Sequence, residues 1–181
     1  MSKQKKPVLF LAQAGLIAAI YLVLTFLANA LGIGSMAIQC RFSELLTILP
    51  VFTPAAVPGL VVGCFLGNLF TSPLGPIDWL VGTAATLLAA ITSRALRNVR
   101  FKGLPVASSL MPVLFNAVLV GFKIACLGTN GGFSFANFLW PAFLMNILTV
   151  GLGELIMCTG CSLVLFAVLE KKHVAKRLFV Q

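Results

Sequence analysis

Acidic side chains are nearly absent from this chain: Glu44, Asp78, Glu154 and Glu170 are the four among 181 residues, against 13 Lys and Arg. Charged residues of both signs make up 9%, hydrophobic residues 60%, and the mean hydropathy is +1.06. So little polarity cannot cover a water-soluble globule and points to a lipid bilayer as solvent. Histidine is scarce too, with His173 alone in a basic tail, so no Ser/His/Asp or Cys/His catalytic arrangement assembles and an enzyme is not expected. A Walker A phosphate loop is missing, so the chain is not expected to hydrolyse ATP by itself. Also missing are a soluble domain and the inverted repeat with paired broken helices that many secondary transporters carry. Cys158 and Cys161 form a CxxC inside an apolar run, but no second ligand pair or nearby His completes a zinc site. Cys40, Cys64 and Cys126 are scattered, and free thiols usually behave as small hydrophobes. Neither a metal nor a cofactor is expected in this chain.

What is present is basic charge, and its placement is informative. Eleven of the 13 basic residues fall in three clusters: Lys3, Lys5 and Lys6; Arg94, Arg97, Arg100 and Lys102; Lys171, Lys172, Lys176 and Arg177. Lys and Arg concentrate in cytoplasmic loops, so the three clusters are expected on one side of the membrane. The net charge of +9 sits in tails and one loop without interleaved aromatics, which reads as a solvated face rather than a nucleic-acid surface.

Apolar runs at 8–31, 77–93, 104–127 and 138–169 are each long enough to cross about 30 Å of hydrocarbon. The first is too long for a signal-peptide core and lacks a clear cleavage site, so it reads as a true span. Between 42 and 70, Pro50, Pro54 and Pro58 leave a choice between one long span and two short ones, 43–53 and 55–70. Parity decides. One span would place the eight basic residues of the middle and terminal clusters outside, whereas two keep all eleven inside. The expected fold is an all-α integral membrane protein: a single membrane domain over 1–181, six transmembrane helices, both termini cytoplasmic. Three short outer loops, 32–40, 71–76 and 128–137, are rich in Gly, Ser, Asn and Pro and can cap a cavity.

Small residues mark where helices touch. Gly59, Gly63 and Gly67 form a double GxxxG ladder, read as packing within the chain. Ala14 and Ala18, with Gly15 and Ala19 beside them, form a small-xxx-small pair in the first span.

Ionisable groups within spans are costly and usually face a protein interior or a water cavity. Arg41 and Glu44, three apart, share a helix face and can pair with each other. Asp78 follows Gly75 and Pro76 at a helix start, where an N-cap is the plain alternative. Asn116 and Lys123, seven apart, give the fifth span a polar stripe. Glu154, near the middle of the last span on a face shared with Asn146, has the weakest structural explanation, a pair with Lys123 being the alternative. The ligand site is expected in the outer half, lined by the last three spans with help from the loop before Arg41. Trp79 and Trp140 lie near the outer ends of their helices. Glu170 reads as solvated.

At this point the residues carry a resemblance. A small six-span chain with an Ala14-x-x-x-Ala18 pair and no ATPase of its own looks like the substrate-binding S component of an energy-coupling factor vitamin transporter. Within that group, Ile38-Gln39-Cys40-Arg41-Phe42-Ser43-Glu44-Leu45-Leu46, then Leu49-Pro50, Pro58-Gly59 and Gly75-Pro76-Ile77-Asp78, resemble the QueT family of queuosine-precursor transporters. The resemblance implies a component of a bacterial cell membrane that captures its ligand outside. It would pair with a transmembrane coupling protein and two ATP-binding cassette ATPases, whose ATP-driven toppling of the component delivers the ligand inward. Ala14, Ala18 and Gly15 would then form the coupling contact. The implied ligand is a deazaguanine base, a flat heterocycle that needs an apolar slot and whose ring N–H and exocyclic amine suit a carboxylate acceptor; Trp79, Trp140, Asn146 and Glu154 would supply those elements. An S component for another vitamin-like heterocycle, or a self-sufficient channel or exchanger, are the alternatives.

Overall fold

The computed structural model describes residues 5–33, 41–128 and 132–171. Lys3, Cys40, His173, the basic residues beyond Lys171 and most of the first outer loop lie outside the described residues. The described residues form helices with no β-strand among them: α1 (Lys5–Ala30), a 3₁₀ helix (Phe42–Val51), α2 (Ala56–Thr71), α3 (Pro76–Ala95), α4 (Val106–Ala125) and α5 (Trp140–Lys171). Of these, α1, α3, α4 and α5 are long and apolar enough to cross a membrane, while the 3₁₀ helix and α2 are shorter apolar elements.

The 3₁₀ helix is the axis of the bundle. It packs against all five α-helices, and Phe42 and Leu45 are its two residues that are not buried. Sequence reading expected a short span here; the finding is that its winding is 3₁₀, in which side chains three apart eclipse, so Glu44, Thr47 and Pro50 form one strip. Runs this long are uncommon because the hydrogen bonds are poorer, and this one is held by side chains, one of its own and two from α3 and α5. The Thr47 hydroxyl donates to the Glu44 carbonyl at 2.6 Å, Ser162 Oγ donates to the Leu45 carbonyl at 2.8 Å, and Arg94 Nη1 donates to the Pro50 carbonyl at 3.0 Å. The carbonyls of Glu44, Leu45 and Pro50 thereby gain side-chain donors.

The glycine ladder seats α1 on α2. A Cβ on Gly59 would come within 2.8 Å of the Ala14 carbonyl oxygen, and one on Gly63 within 2.8 Å of Tyr21 Cβ. Only hydrogen fits there, which is why backbones can approach this closely. Between α3 and α4 a reciprocal pair of serines does the joining: Ser93 Oγ donates to the Ser108 carbonyl at 2.8 Å and Ser108 Oγ to the Ser93 carbonyl at 3.1 Å. The Ser108 carbonyl is the one whose intrahelical partner would be the missing N–H of Pro112. Two helices also contain π turns, Asn116–Val120 in α4 and Leu155–Cys161 in α5.

One end of the bundle gathers Gln13, Thr53, Arg94 and Phe166. Thr53 Oγ1 donates to Gln13 Oε1 at 3.4 Å, Phe52 stacks on Phe166 at 5.0 Å, and the Arg100 guanidinium lies 4.6 Å over the Phe166 ring while pairing with Glu170 at 3.8 Å. The middle basic cluster is therefore not only a solvated face: Arg94 and Arg100 are docked on the bundle, and Glu170 has a partner. Thr25, Arg41, Ser72, Asp78 and Lys123 gather at the opposite end around a cavity.

Candidate functional site

The cavity at that end has a volume of about 240 Å³ and is walled by Thr25 and Asn29 of α1, Arg41, the turn from Thr71 to Leu74, Asp78 of α3 and Lys123 of α4. Each wall has a local cause. Gly75 takes φ +64°, a conformation that favours glycine, and turns the chain sharply into Pro76, the first residue of α3. That places Asp78 in the first turn of α3, facing α4. Asp78 does not cap the helix; its Oδ1 accepts from Lys123 Nζ, both side chains being buried. Arg41 directs Nη1 to Asn68 Oδ1 at 2.9 Å rather than to Glu44.

Beneath it lies a second, much smaller pocket of about 20 Å³, room for about one water molecule. It shares Arg41 and Asp78 with the outer cavity and adds Glu44, Asn116 and Glu154. Its two glutamates come from the 3₁₀ helix and from the residue just before the π turn of α5. Asn116 opens the π turn of α4. A π turn adds a residue to the helical repeat and re-aims the side chains around it, and such turns recur at functional sites. Glu44 Oε1 accepts from the Tyr21 hydroxyl at 2.5 Å, while its Oε2 is buried without a partner among the described residues. Glu154 Oε2 accepts from Cys158 Sγ at 3.0 Å. Ligand atoms of Glu44, Glu154 and Cys158 lie within 4.8 Å of one another. Two carboxylates and a thiol are not the Cys and His set of a zinc site.

The structure thus brings together Arg41, Glu44, Asp78, Asn116, Lys123 and Glu154 of the residues singled out in the sequence. It does not bring Asn146 or Trp140 to either cavity. Asn146 lies against Gly121 through its backbone, because its face of α5 packs on α4. Trp140 is 67% exposed and sits in an aromatic group with Phe138 and Phe143. Trp79 is partly buried, and its Nε1 is buried without a partner among the described residues, outside both linings. The walls also differ from expectation, since α1 and the turn before α3 contribute as much as the last spans. Lys123 pairs with Asp78 and not with Glu154.

Ala14 and Ala18 lie in the α1–α2 seam of the isolated chain. Their face is covered by the α2 glycines, with Ala14 7% exposed, whereas Gly15 and Ala19 face outward and a Cβ at Gly15 would meet nothing within 4 Å.

Sequence reasoning passed over Tyr21, Asn68 and the site position of Cys158. Tyr21 carried a signal: it is the chain's one tyrosine, centred in an apolar run, where a buried hydroxyl requires a partner. Asn68, one residue beyond the glycine ladder, carried a similar one.

Searches of curated proteins and of solved structures find no match. A profile of the family described as QueT transporter matches residues 11–171, nearly the whole chain, and this chain belongs to that family of membrane transporters.

Proposed function

We propose that the chain is the ligand-capturing S component of an energy-coupling factor importer. It takes a deazaguanine-type base into the paired cavities from outside and relies on a coupling protein and two ATPases for release inward. In this reading the chain crosses the membrane six times, the 3₁₀ helix and α2 forming the second and third crossings. The end holding Arg41, Asp78 and Lys123 faces outward.

The observation that carries the reading is the graded cavity. A flat ring fits the outer space of about 240 Å³, where it is pinned between α1, α3 and α4. One edge reaches the pocket where Glu44 and Glu154 stand as acceptors. A carboxylate buried without a donor is unfavourable, and ligand N–H groups relieve that cost. Glu154 is the principal acceptor, with Glu44, Asn116, Arg41, Asp78 and Lys123 around it. The short 3₁₀ helix at the centre, its carbonyls braced by Arg94 and Ser162 from neighbouring helices, suits a part that opens to admit a ring.

The test is a thermal-shift screen of the purified chain against deazaguanines, riboflavin, biotin, thiamine, folate and tryptophan, followed by transport assays. Deazaguanines should stabilise the chain at micromolar concentration. Uptake into liposomes should require the coupling protein and ATPases together with ATP. A shift with another member of the panel would reassign the ligand, and transport by the chain alone would replace the reading with a self-sufficient carrier.

A further inference from the structure

Arg41 and Glu44 stand three residues apart and line the same pocket of about 20 Å³, a placement that invites an ion pair. They do not form one. Arg41 Nη1 donates instead to Asn68 Oδ1 at 2.9 Å, and Arg41 has no ion-pair partner among the described residues. The consequence falls on Glu44. Its Oε1 accepts from the Tyr21 hydroxyl at 2.5 Å, while its Oε2 is buried without a partner among the described residues. A buried carboxylate oxygen left open this near a guanidinium is unfavourable, so something has to hold the guanidinium away.

Asn68 of α2 is built to do so. It is 1% exposed, and its oxygen faces Arg41, as it must, since a guanidinium only donates. Its amide nitrogen is seated on the other side. Nδ2 donates to Cys64 Sγ at 3.4 Å and fills the space left by Gly82 of α3, where a Cβ would come within 2.6 Å of it. Cys64 Sγ accepts in turn from Thr86 Oγ1, one turn beyond Gly82, at 3.2 Å. Asn68 lines neither cavity itself. We propose that Asn68 is a positioning residue: it tethers Arg41 to α2 and so keeps Glu44 Oε2 open to receive a ligand N–H. This rests on the two cavities being the ligand site. Without the tether Arg41 turns onto Glu44, and a ligand has to break that ion pair before it reaches the acceptor. The mount on Cys64, Gly82 and Thr86 sets the geometry before the ligand arrives, which is preorganisation.

Two measurements test this on the full chain in detergent. The first needs no ligand. The infrared carboxyl bands that vanish in Glu44→Gln report the state of Glu44, and they should shift in Asn68→Leu, which matches asparagine in shape but accepts no hydrogen bond. Adding Arg41→Met should abolish the shift. Gly82→Ala, which displaces the Asn68 amide, should give the same shift and serves if Asn68→Leu does not fold. The second is calorimetry with an unsubstituted deazaguanine. Asn68→Leu should bind at least about tenfold more weakly than the parent, the factor a charged hydrogen bond contributes. In an Arg41→Met background the same substitution should change affinity by less than about twofold, because Asn68 then has nothing to position. Unshifted Glu44 bands in Asn68→Leu and Gly82→Ala, or an equal loss of affinity with and without Arg41, would make Asn68 a packing residue and overturn the proposal. If the parent binds no deazaguanine, the ligand assignment falls, and the infrared bands still decide whether Asn68 holds Arg41 off Glu44.

Discussion

Lys123 has one charge to place in an apolar bundle, and it places it on Asp78, 45 residues earlier in the chain. Removing one partner of a buried pair leaves the other charge uncompensated, which typically costs about 3 to 5 kcal/mol, whereas removing both is often close to neutral. Lys123→Met should therefore lower the unfolding midpoint of the purified chain severely, and Asp78→Asn with Lys123→Met should recover most of the loss. Equal stability of Lys123→Met and the parent, in a detergent melt followed by tryptophan fluorescence, would show that the pair is not structural. At this scale the sequence was highly legible as to which residues matter, because an ionisable group within a span has few other reasons to be there. It was poorly legible as to who pairs with whom. Lys123 is compatible with Glu154 or Asp78 on periodicity, and the choice depends on how far Gly75 lets α3 begin beneath the turn. Arg41 and Glu44 show the same limit, since spacing put them on one face while Asn68, on another helix, supplied Arg41 with a better partner.

Helices as units explain why the small-residue motifs divide between two jobs. The Gly59–Gly63–Gly67 ladder was readable as an internal seam and is one, with Ala14, Ala18 and Tyr21 resting on it. That occupies the Ala14 face and leaves Gly15 and Ala19 as the small residues on the lipid side of α1. If a coupling protein docks on α1, it meets that face. Gly15→Leu should leave the melting point and ligand affinity of the isolated chain nearly unchanged, since the new side chain meets nothing and glycine is the weaker helix former by about 1 kcal/mol. Uptake in cells that supply the coupling protein and ATPases should be lost. Ala14→Leu should instead lower stability, because Ala14 is buried and the added volume has to enter a closely packed seam. Full uptake by Gly15→Leu would remove this face of α1 from the coupling contact. The winding of the elements was the part the sequence did not disclose. Proline at 50 announced an interruption, but a 3₁₀ helix sustained over Phe42–Val51 depends on Arg94 and Ser162 reaching in from α3 and α5. The π turns beside Asn116 and Glu154 similarly depend on packing that no local pattern encodes.

For the molecule as a whole, basic residues define an orientation but do not by themselves separate six crossings from four. If 42–71 dipped in from the outer side and returned without crossing, the three clusters would still share one side. The distinction lies in how far the turn between the 3₁₀ helix and α2 reaches. Ten residues at about 2.0 Å each span roughly 20 Å, and sixteen α-helical residues at about 1.5 Å each span roughly 24 Å, so either element falls a little short of a full hydrocarbon thickness of about 30 Å. Yet the turn is level with the docked basic cluster: Thr53 bonds Gln13 near the start of α1, and Arg94 binds the last carbonyls of the 3₁₀ helix. Arg94 belongs to the cluster expected on the cytoplasmic side, so the neighbouring exposed Pro54 should be reachable from that side as well. In a Cys-free background, Pro54→Cys and Asn98→Cys should react with a membrane-impermeant maleimide only after permeabilisation, while Ala136→Cys, exposed at the opposite end, should react in intact cells. Reaction of Pro54→Cys from outside would reduce the crossings to four and leave α1, α3, α4 and α5 as the membrane-spanning set. Protection of Ala136→Cys in intact cells would invert the whole orientation, and the cavity of Arg41, Asp78 and Lys123 would then open to the cytoplasm, where it could not capture a ligand from outside.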